Sequence, residues 1–474
     1  MSRITSNIPA VVAQRYLIAS QRDLGVSLER LSSGLQINRG ADDPAGLIVS
    51  ERLRTEIEGL GQAIKNSERA INVIATTEGA LNEVNALLKD IQALIVEAAN
   101  SGAFSPEEMD ANQLQIDSAI ESIGRIANVT TFAGRKLLDG SLDYITSGVN
   151  TAHLADVSVL GAMFGSRSFI PVDVAVSQSA LQAQLAFTGT VPLTSAVTVD
   201  LQGPEGIVTL SFPASATTND MVQSINGQTD ATGVTATASG TAVLFQSDGY
   251  GSQTFVRVET LYGSAPFEVI DRDSGIKTRA IGRDALATIN GYPTIGDGLT
   301  LGLNSFLLDL DIILDETFGV GSTSFSITGG GSLFQLGPRV NTNQQENIGV
   351  KAMHANKLGN RVVGFLSELS SGQRLALREE MFQQASDVIN LAIDQVTTLR
   401  GRLGAFERNT LQTNINQLQI TIENLTSSES VIRDTDFAQE TTELTRAQIL
   451  VQAGTSILAI ANAQQQNVLS LLGA

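Results

Sequence analysis

The stretch that decides the reading of this chain is its last: "AQILVQAGTSILAIANAQQQNVLSLLGA", residues 447–474, contains 28 residues and not one charge. Elsewhere the chain carries 30 basic and 49 acidic side chains, a net charge of -19. A membrane span needs about 20 predominantly apolar residues. Gln448, Gln452, Asn462, Gln464, Gln465, Gln466 and Asn467 interrupt this one, and an amide in hydrocarbon is costly unless bonded. Membrane insertion is therefore not expected. Spacing gives another reading. Leu444, Ala447, Val451, Gly454, Leu458, Ala461, Gln465, Val468 and Leu472 step by alternating threes and fours, the seam of a helix that packs on another helix. The small residues Ala447, Gly454 and Ala461 admit a close partner backbone. The remaining faces are amide and hydroxyl, as suits a helix surrounded by copies of itself, where a charge would be desolvated.

Composition narrows the function. At 474 residues the chain has room for two to four domains. An excess of acid excludes nucleic acid as a partner, because neutralising phosphate needs basic patches. There is no Cys, hence no disulfide, and His153 and His354 are the only histidines. No His-rich metal site, catalytic histidine or cofactor is expected. The opening "MSRITSNIPAVVAQRYLIASQ" lacks the apolar run of a cleavable signal peptide, so export would need another route.

The other end mirrors the tail. Leu17, Gln21, Leu24, Leu28, Leu31 and Leu35 repeat the seam, and Gly34 is placed to cap the helix. "GLQINRGADDPAG" reads as a linker, with Asp42 or Asp43 capping a new helix that starts at Pro44. Leu53, Ile57, Leu60, Ile64, Ser67, Ile71 and Ile74 carry the heptad on, followed by Leu81, Leu88 and Ile95. Residues 44–100 would make ~80 Å of helix at 1.5 Å per residue. A further helix is expected over about 106–128, seeded by Ser105 and Pro106.

At Thr130 the pattern changes. "TTFAGRKLLDGSLDYITSG" has the look of a hairpin, and "AVTVDLQGPEGIVTLSF" reads as strand, tight turn, strand. "TNDMVQSIN" is a short helix and "GVTATASGTAVLFQSDGYGSQTFVRVET" gives three more strands, with a possible division near 275–285. Helical period returns after Asn347. Val396, Leu399, Leu403 and Phe406 form a seam that continues, displaced by one position, through Leu411, Ile415, Leu418, Ile422 and Leu425. Breaks are expected around "TSSESVIRDTDF".

The expected fold is mainly α with a β-rich insertion. The N- and C-terminal helices pair as a coiled-coil rod, and the outer domain or domains are α+β. The boundaries are 1–43 with 430–474 for an inner terminal-helix domain, 44–150 with 345–429 for a helical rod bearing a β-hairpin, and 151–344 for the outer part. "DLDIILDE" gathers Asp309, Asp311, Asp315 and Glu316 but lacks the Gly and spacing of a calcium loop, so it reads as a solvated strand edge. "GGGSLFQLGP" lacks the Lys-Ser/Thr of a phosphate loop and reads as a connector.

Several long motifs resemble flagellin: "RLSSGLQINRGADDPAGLIVSERLRTEI", "IATTEGALNEVN", "TTFAGRKLLDG" and "RAQILVQAGTSILAIANAQQQNVLSLL". The likeness covers roughly 1–145 and 345–474. Residues about 195–260 resemble a repeat module of flagellar axial proteins. The resemblance implies a structural, non-enzymatic subunit that self-assembles into the extracellular flagellar filament for swimming. Its implied partners are other copies, cap and junction proteins, the flagellar secretion apparatus, and an export chaperone at the C-terminal helix. A metalloprotease insertion, known in some members, would need His-Glu-x-x-His, which is absent. The segment that vertebrate Toll-like receptors sense in some flagellins corresponds to "KDIQALIVE". Leu94 is kept there, but Asp90 and Gln92 stand where arginines are found, and Ala93 where an acid is found. Weak or absent receptor recognition follows. The rival readings are a hook–filament junction protein and an adhesin using the insertion. The seam positions expected to carry assembly are Leu24, Leu28, Leu31, Val451, Leu458, Val468 and Leu472 at the termini, and Leu53, Ile57, Leu60, Ile64, Leu399, Leu403 and Phe406 along the rod.

Overall fold

In a computed structural model, residues 7–472 are described apart from 101, 103–104, 166, 264–266, 273–274 and 306; side chains are described to Gln464. The described residues contain eight α-helices: α1 (Ile8–Ser33), α2 (Pro44–Ala98), α3 (Pro106–Val129), α4 (Thr218–Asn226), α5 (Thr229–Thr232), α6 (Phe382–Phe406), α7 (Thr413–Arg433) and α8 (Phe437–Leu472). The chain divides into two compact units. One gathers Met1–Arg69, Gln335–Val340 and Arg408–Ala474; the other gathers Ala70–Phe334 and Asn341–Glu407.

Helix ends follow local chemistry. Gly34 closes α1 in the left-handed conformation (φ 74°), which a Cβ would disfavour. At the start of α2 the carboxylate of Asp43 accepts from Ala45 N–H at 3.0 Å and Gly46 N–H at 2.9 Å. Asp42 turns back to the linker and accepts from Asn38 and Arg39 N–H. Ser105 and Glu108 form a reciprocal capping box on α3.

In the first unit α1 packs antiparallel on α8. Asn7 Nδ2 donates to the Ala461 carbonyl at 3.1 Å, Leu17 faces Gly454, and Arg30 pairs with Glu440 at 3.5 Å. The two linkers also pair: Gln36 N–H donates to Arg433 O at 2.7 Å and Thr435 N–H to Gly34 O at 2.9 Å. Residues 44–69 of α2 pack on α7 through Leu60, Ala63 and Leu418, joined by Ile64, Ile422 and Leu425. The segment Gln335–Val340 lies against both helices. Asn66 Nδ2 donates to Gln335 O and Asn414 Nδ2 to Leu336 O.

In the second unit, residues 70–98 of α2 bury Leu81, Val84, Leu88, Ile91 and Ile95, α3 buries Ile116 and Ile123, and α6 buries Val388, Ile389 and Val396. Gln92 Nε2 donates to Asn390 Oδ1 at 2.7 Å between α2 and α6. The insertion has two cores. A five-stranded sheet ordered Tyr292–Pro293, Leu286–Ile289, Ile170–Gln178, Gly321–Gly330, Tyr144–Ser147 and a four-stranded sheet ordered Ile295–Asp297, Thr300–Asn304, Leu308–Leu314, Leu154–Ala162 share the first core. Between residues 181 and 283 two further four-stranded sheets and α4 enclose a second core around Phe187, Phe245 and Phe267. The return crossing falls at the division expected near 275–285. There Leu181 and Arg283 exchange backbone hydrogen bonds at 2.8 Å, and Asp284 accepts from Ser252 N–H (2.8 Å) and Gly298 N–H (2.9 Å).

Three sequence expectations need correction, and a fourth is met. The strand Leu308–Leu314 is interior to its sheet, so Asp309 and Asp311 are not on a sheet edge; Asp309 is half-buried and Asp311 exposed, and both lie near the half-buried Arg402 guanidinium, whose Nη2 donates to Leu160 O at 2.5 Å. "GGGSLFQLGP" is partly strand: Gly329 and Gly330 end one strand, and Ser332–Gln335 forms another. The break expected around "TSSESVIRDTDF" falls at residues 434–436, between α7 and α8, while the Ser-rich part before it stays helical. Ser428 returns its hydroxyl to the Asn424 carbonyl, and α7 stops only at Arg433. Helix resumes at Phe382, well after Asn347, because the residues between make short bridges and 3₁₀ turns.

The displaced seam has a physical origin. Glu407–Gln412 forms a π-helical turn between α6 and α7. Its wider turn absorbs one extra residue, so Leu403 (1% exposed) and Leu411 (0%) are both buried despite the shift in spacing.

Candidate assembly surface

The terminal pair leaves a second stripe uncovered. On α1, Ile8, Val11, Val12, Tyr16 and Ile18 are exposed, Val11 by 65%. On α8, Ile449, Leu450, Ile457 and Ile460 are exposed, Ile460 by 62%. Scattered exposed apolar residues are ordinary, but a contiguous set of long ones marks a surface made to be covered. The segment Phe437–Gln464 is long and apolar enough to cross a membrane by length and hydropathy, and little of it is buried within the chain.

Charge follows the same division. The first unit holds 13 basic and 14 acidic residues, leaving 17 and 35 for the second. The first unit is thus nearly neutral, and almost the whole net charge resides in the second. Several charges of the terminal unit are paired within it. Arg433 pairs with Glu51 at 3.0 Å, Arg39 with Glu29 at 2.9 Å, and the backbone N–H of Arg39 holds the Asp42 carboxyl below its usual range.

The seam residues read from the sequence fall into distinct settings. Leu24, Leu31, Val451 and Leu458 are half-buried, and Leu28 is 50% exposed. Val468 and Leu472 lie in α8 with side chains outside the described residues. Leu53, Ile57 and Ile64 are half-buried and Leu60 is buried. Leu399 and Leu403 are buried in the second unit, where Phe406 rests near the Phe334 ring at 6.3 Å. The exposed stripe was missed because the 3–4 seam runs beside it. The signal that could have found it is that Ile449, Leu450, Ile457 and Ile460 sit off the seam yet are as apolar as residues on it.

The buried positions Ala447 and Ala461 and the half-buried Gly454 lie along the contact with α1; a Cβ built on Gly454 would stand 3.2 Å from Leu17 Cδ1. This close, charge-free pair of chain ends has counterparts in known proteins. Residues 4–143 match the bacterial flagellin N-terminal helical region, residues 386–472 the C-terminal helical region, and residues 195–248 the flagellin hook IN motif. The flagellin of Salmonella rubislaw is 31% identical, and that of Salmonella typhimurium 32%, each over 99% of both chains. The chain belongs to the flagellin family. Flagellins are structural proteins that build the extracellular filament, and this chain is a filament subunit serving swimming motility. The mainly α fold with paired terminal regions and a β-rich insertion is the flagellin arrangement.

Proposed function

We propose that the exposed stripe of α1 and α8, together with the terminal seam residues Leu24, Leu28, Leu31, Val451, Leu458, Val468 and Leu472, is the surface by which one flagellin subunit grips the next. The carrying observation is long apolar side chains exposed on both terminal helices of a nearly neutral unit. Burying them against neighbours gains ~25 cal/mol per Å², and non-closing head-to-tail contacts extend into a filament. In this reading 1–43 with 430–474 forms the innermost layer of the polymer. Residues 44–150 with 345–429 form the next, resting on Leu53, Ile57, Leu60, Ile64, Leu399, Leu403 and Phe406, and 151–344 faces outward. The deciding experiment compares the full chain with one ending at residue 435, by electron microscopy after a precipitating salt is added. Tubes from the full chain alone support the proposal; tubes from both overturn it.

The same surface suits an export chaperone. A soluble partner covering Ile449, Leu450, Ile457 and Ile460 would keep the C-terminal helix from assembling before delivery to the flagellar secretion apparatus. The subunit would reach the cell exterior by that route and act there without catalysis. Weak Toll-like receptor activation follows from the 89–97 segment. Asp90 is exposed and inverts the charge of the position, while Gln92 is tied to Asn390. Strong activation by purified monomer would refute this.

A further inference from the structure

In the second unit a cleft of 760 Å³ opens between residues 139–157 and residues 351–365. Its two lining segments carry opposite charge: Asp143 and Asp156, beside Asp139, in one, and Lys351, Lys357 and Arg361 in the other. The backbone beneath is fixed. Val350 N–H donates to Leu142 O at 3.0 Å, and Met353 N–H donates to Leu138 O at 2.9 Å. Asn360 Oδ1 accepts from Val362 and Val363 N–H, which holds Arg361 on a tight turn.

None of these five charged groups takes part in an ion pair, whereas the neighbouring Asp139 reaches Lys136 at 4.0 Å. Asp143 is half-buried, and its carboxylate accepts only from the N–H of Tyr144, at 2.8 Å. Burial pushes its carboxyl above the usual range, against the pull of Lys351 and Lys357. A partly desolvated carboxylate that lies near cations without pairing with them is costly. Perturbed charges converging on a cleft are a mark of binding sites, and this volume lies within the ~300–1,000 Å³ typical of small-ligand pockets.

We propose that this cleft binds a small zwitterion of the α-amino-acid class, its ammonium group seated on Asp143 and Asp156 and its carboxylate on Lys351, Lys357 and Arg361. A simple anion or cation would leave one side unpaired. A zwitterion satisfies both at once through charge-assisted hydrogen bonds. All five groups belong to the second unit.

The test titrates the full-length monomer with a panel of L-amino acids, by thermal shift and then calorimetry, with acetate and methylammonium as single-charge controls. At least one amino acid should raise the melting temperature saturably while neither control does. Lys357→Met and Asp143→Asn should each weaken that binding at least about tenfold, as loss of a charge-assisted bond does. Asp143 supports the fold locally, so if its variant fails to fold, the exposed Lys357→Met decides alone. No response to any amino acid, an equal response to acetate, or unchanged binding by Lys357→Met would overturn the proposal.

Discussion

The two units of this flagellin solve opposite problems. The second carries 35 acidic against 17 basic residues and encloses its own cores, with Phe187, Phe245, Leu310 and Ile312 almost wholly buried. The first is nearly neutral, and among its described residues the clustered core is small, built on Leu60, Ala63 and Leu418. Its longest apolar side chains face outward. The difference teaches that one unit closes its cores with its own chain, while the other leaves long apolar side chains on its surface. The acidic excess of the second unit keeps free subunits soluble by mutual repulsion, while neutrality of the first spares each contact the cost of desolvating charge.

The sharpest way to break this comparison is Ile457→Asp. It should abolish polymer in a sedimentation assay, because the carboxylate would be desolvated at every contact, yet leave monomer melting unchanged. Filaments of normal length from this variant would mean that the exposed stripe is not an interface. Next in size, Leu88→Ala should destabilise the second unit by about 2–5 kcal/mol, the usual cost of a cavity in a closed core. Ile460→Ala in the first should change monomer stability by no more than about 0.5 kcal/mol while weakening assembly. Denaturant unfolding of the two monomers checks both.

The smallest effect concerns pH. Burial raises the carboxyls of Asp143, Asp309, Asp311, Glu346 and Asp387, all in the second unit. For Glu346 burial is the sole cause. A carboxyl whose folded value lies above its unfolded one favours folding fully below the unfolded value, and that contribution is lost as pH rises through the folded one. Glu346→Gln should therefore raise the melting temperature of the second unit slightly at pH 7 and make no difference below about pH 4. Asp284 runs the other way. Hydrogen bonds from Ser252 and Gly298 hold it below the usual range, so its contribution disappears as pH falls through that lowered value. Asp284→Asn should loosen the junction between the two cores of the insertion at pH 7, and less so in acid, as read by hydrogen exchange at residues 250–254.

Much of this was legible in the residues. Gly34, Asp43 and Ser105 cap helices because their chemistry acts on the nearest turn, whatever lies beyond it. The displaced seam after Phe406 was visible as an offset, but that a π-helical turn absorbs it was not, since spacing records an extra residue without saying how the backbone takes it up. The strand Leu308–Leu314 misled because alternation of Leu and Asp looks the same at an edge or in the middle of a sheet. Only the neighbouring strands Thr300–Asn304 and Leu154–Ala162, and Arg402 from α6, decide that the strand is central and that Asp309 is half-buried. The exposed stripe was obscured for a related reason: periodicity finds the face a helix gives its first partner, and a second apolar face only blurs the signal.

The sequence by itself determined the helices, their caps, the chain-end seams, the flagellin likeness and the absence of charge after Arg446, because each depends on near neighbours or on counting. Tertiary structure alone decided which apolar residues the terminal pair buries and which it leaves exposed. It also decided where the insertion divides into two cores, and which charges meet across the cleft at Asp143 and Lys357. Those outcomes depend on groups far apart in the chain, whose contact is fixed only when the elements between them have packed.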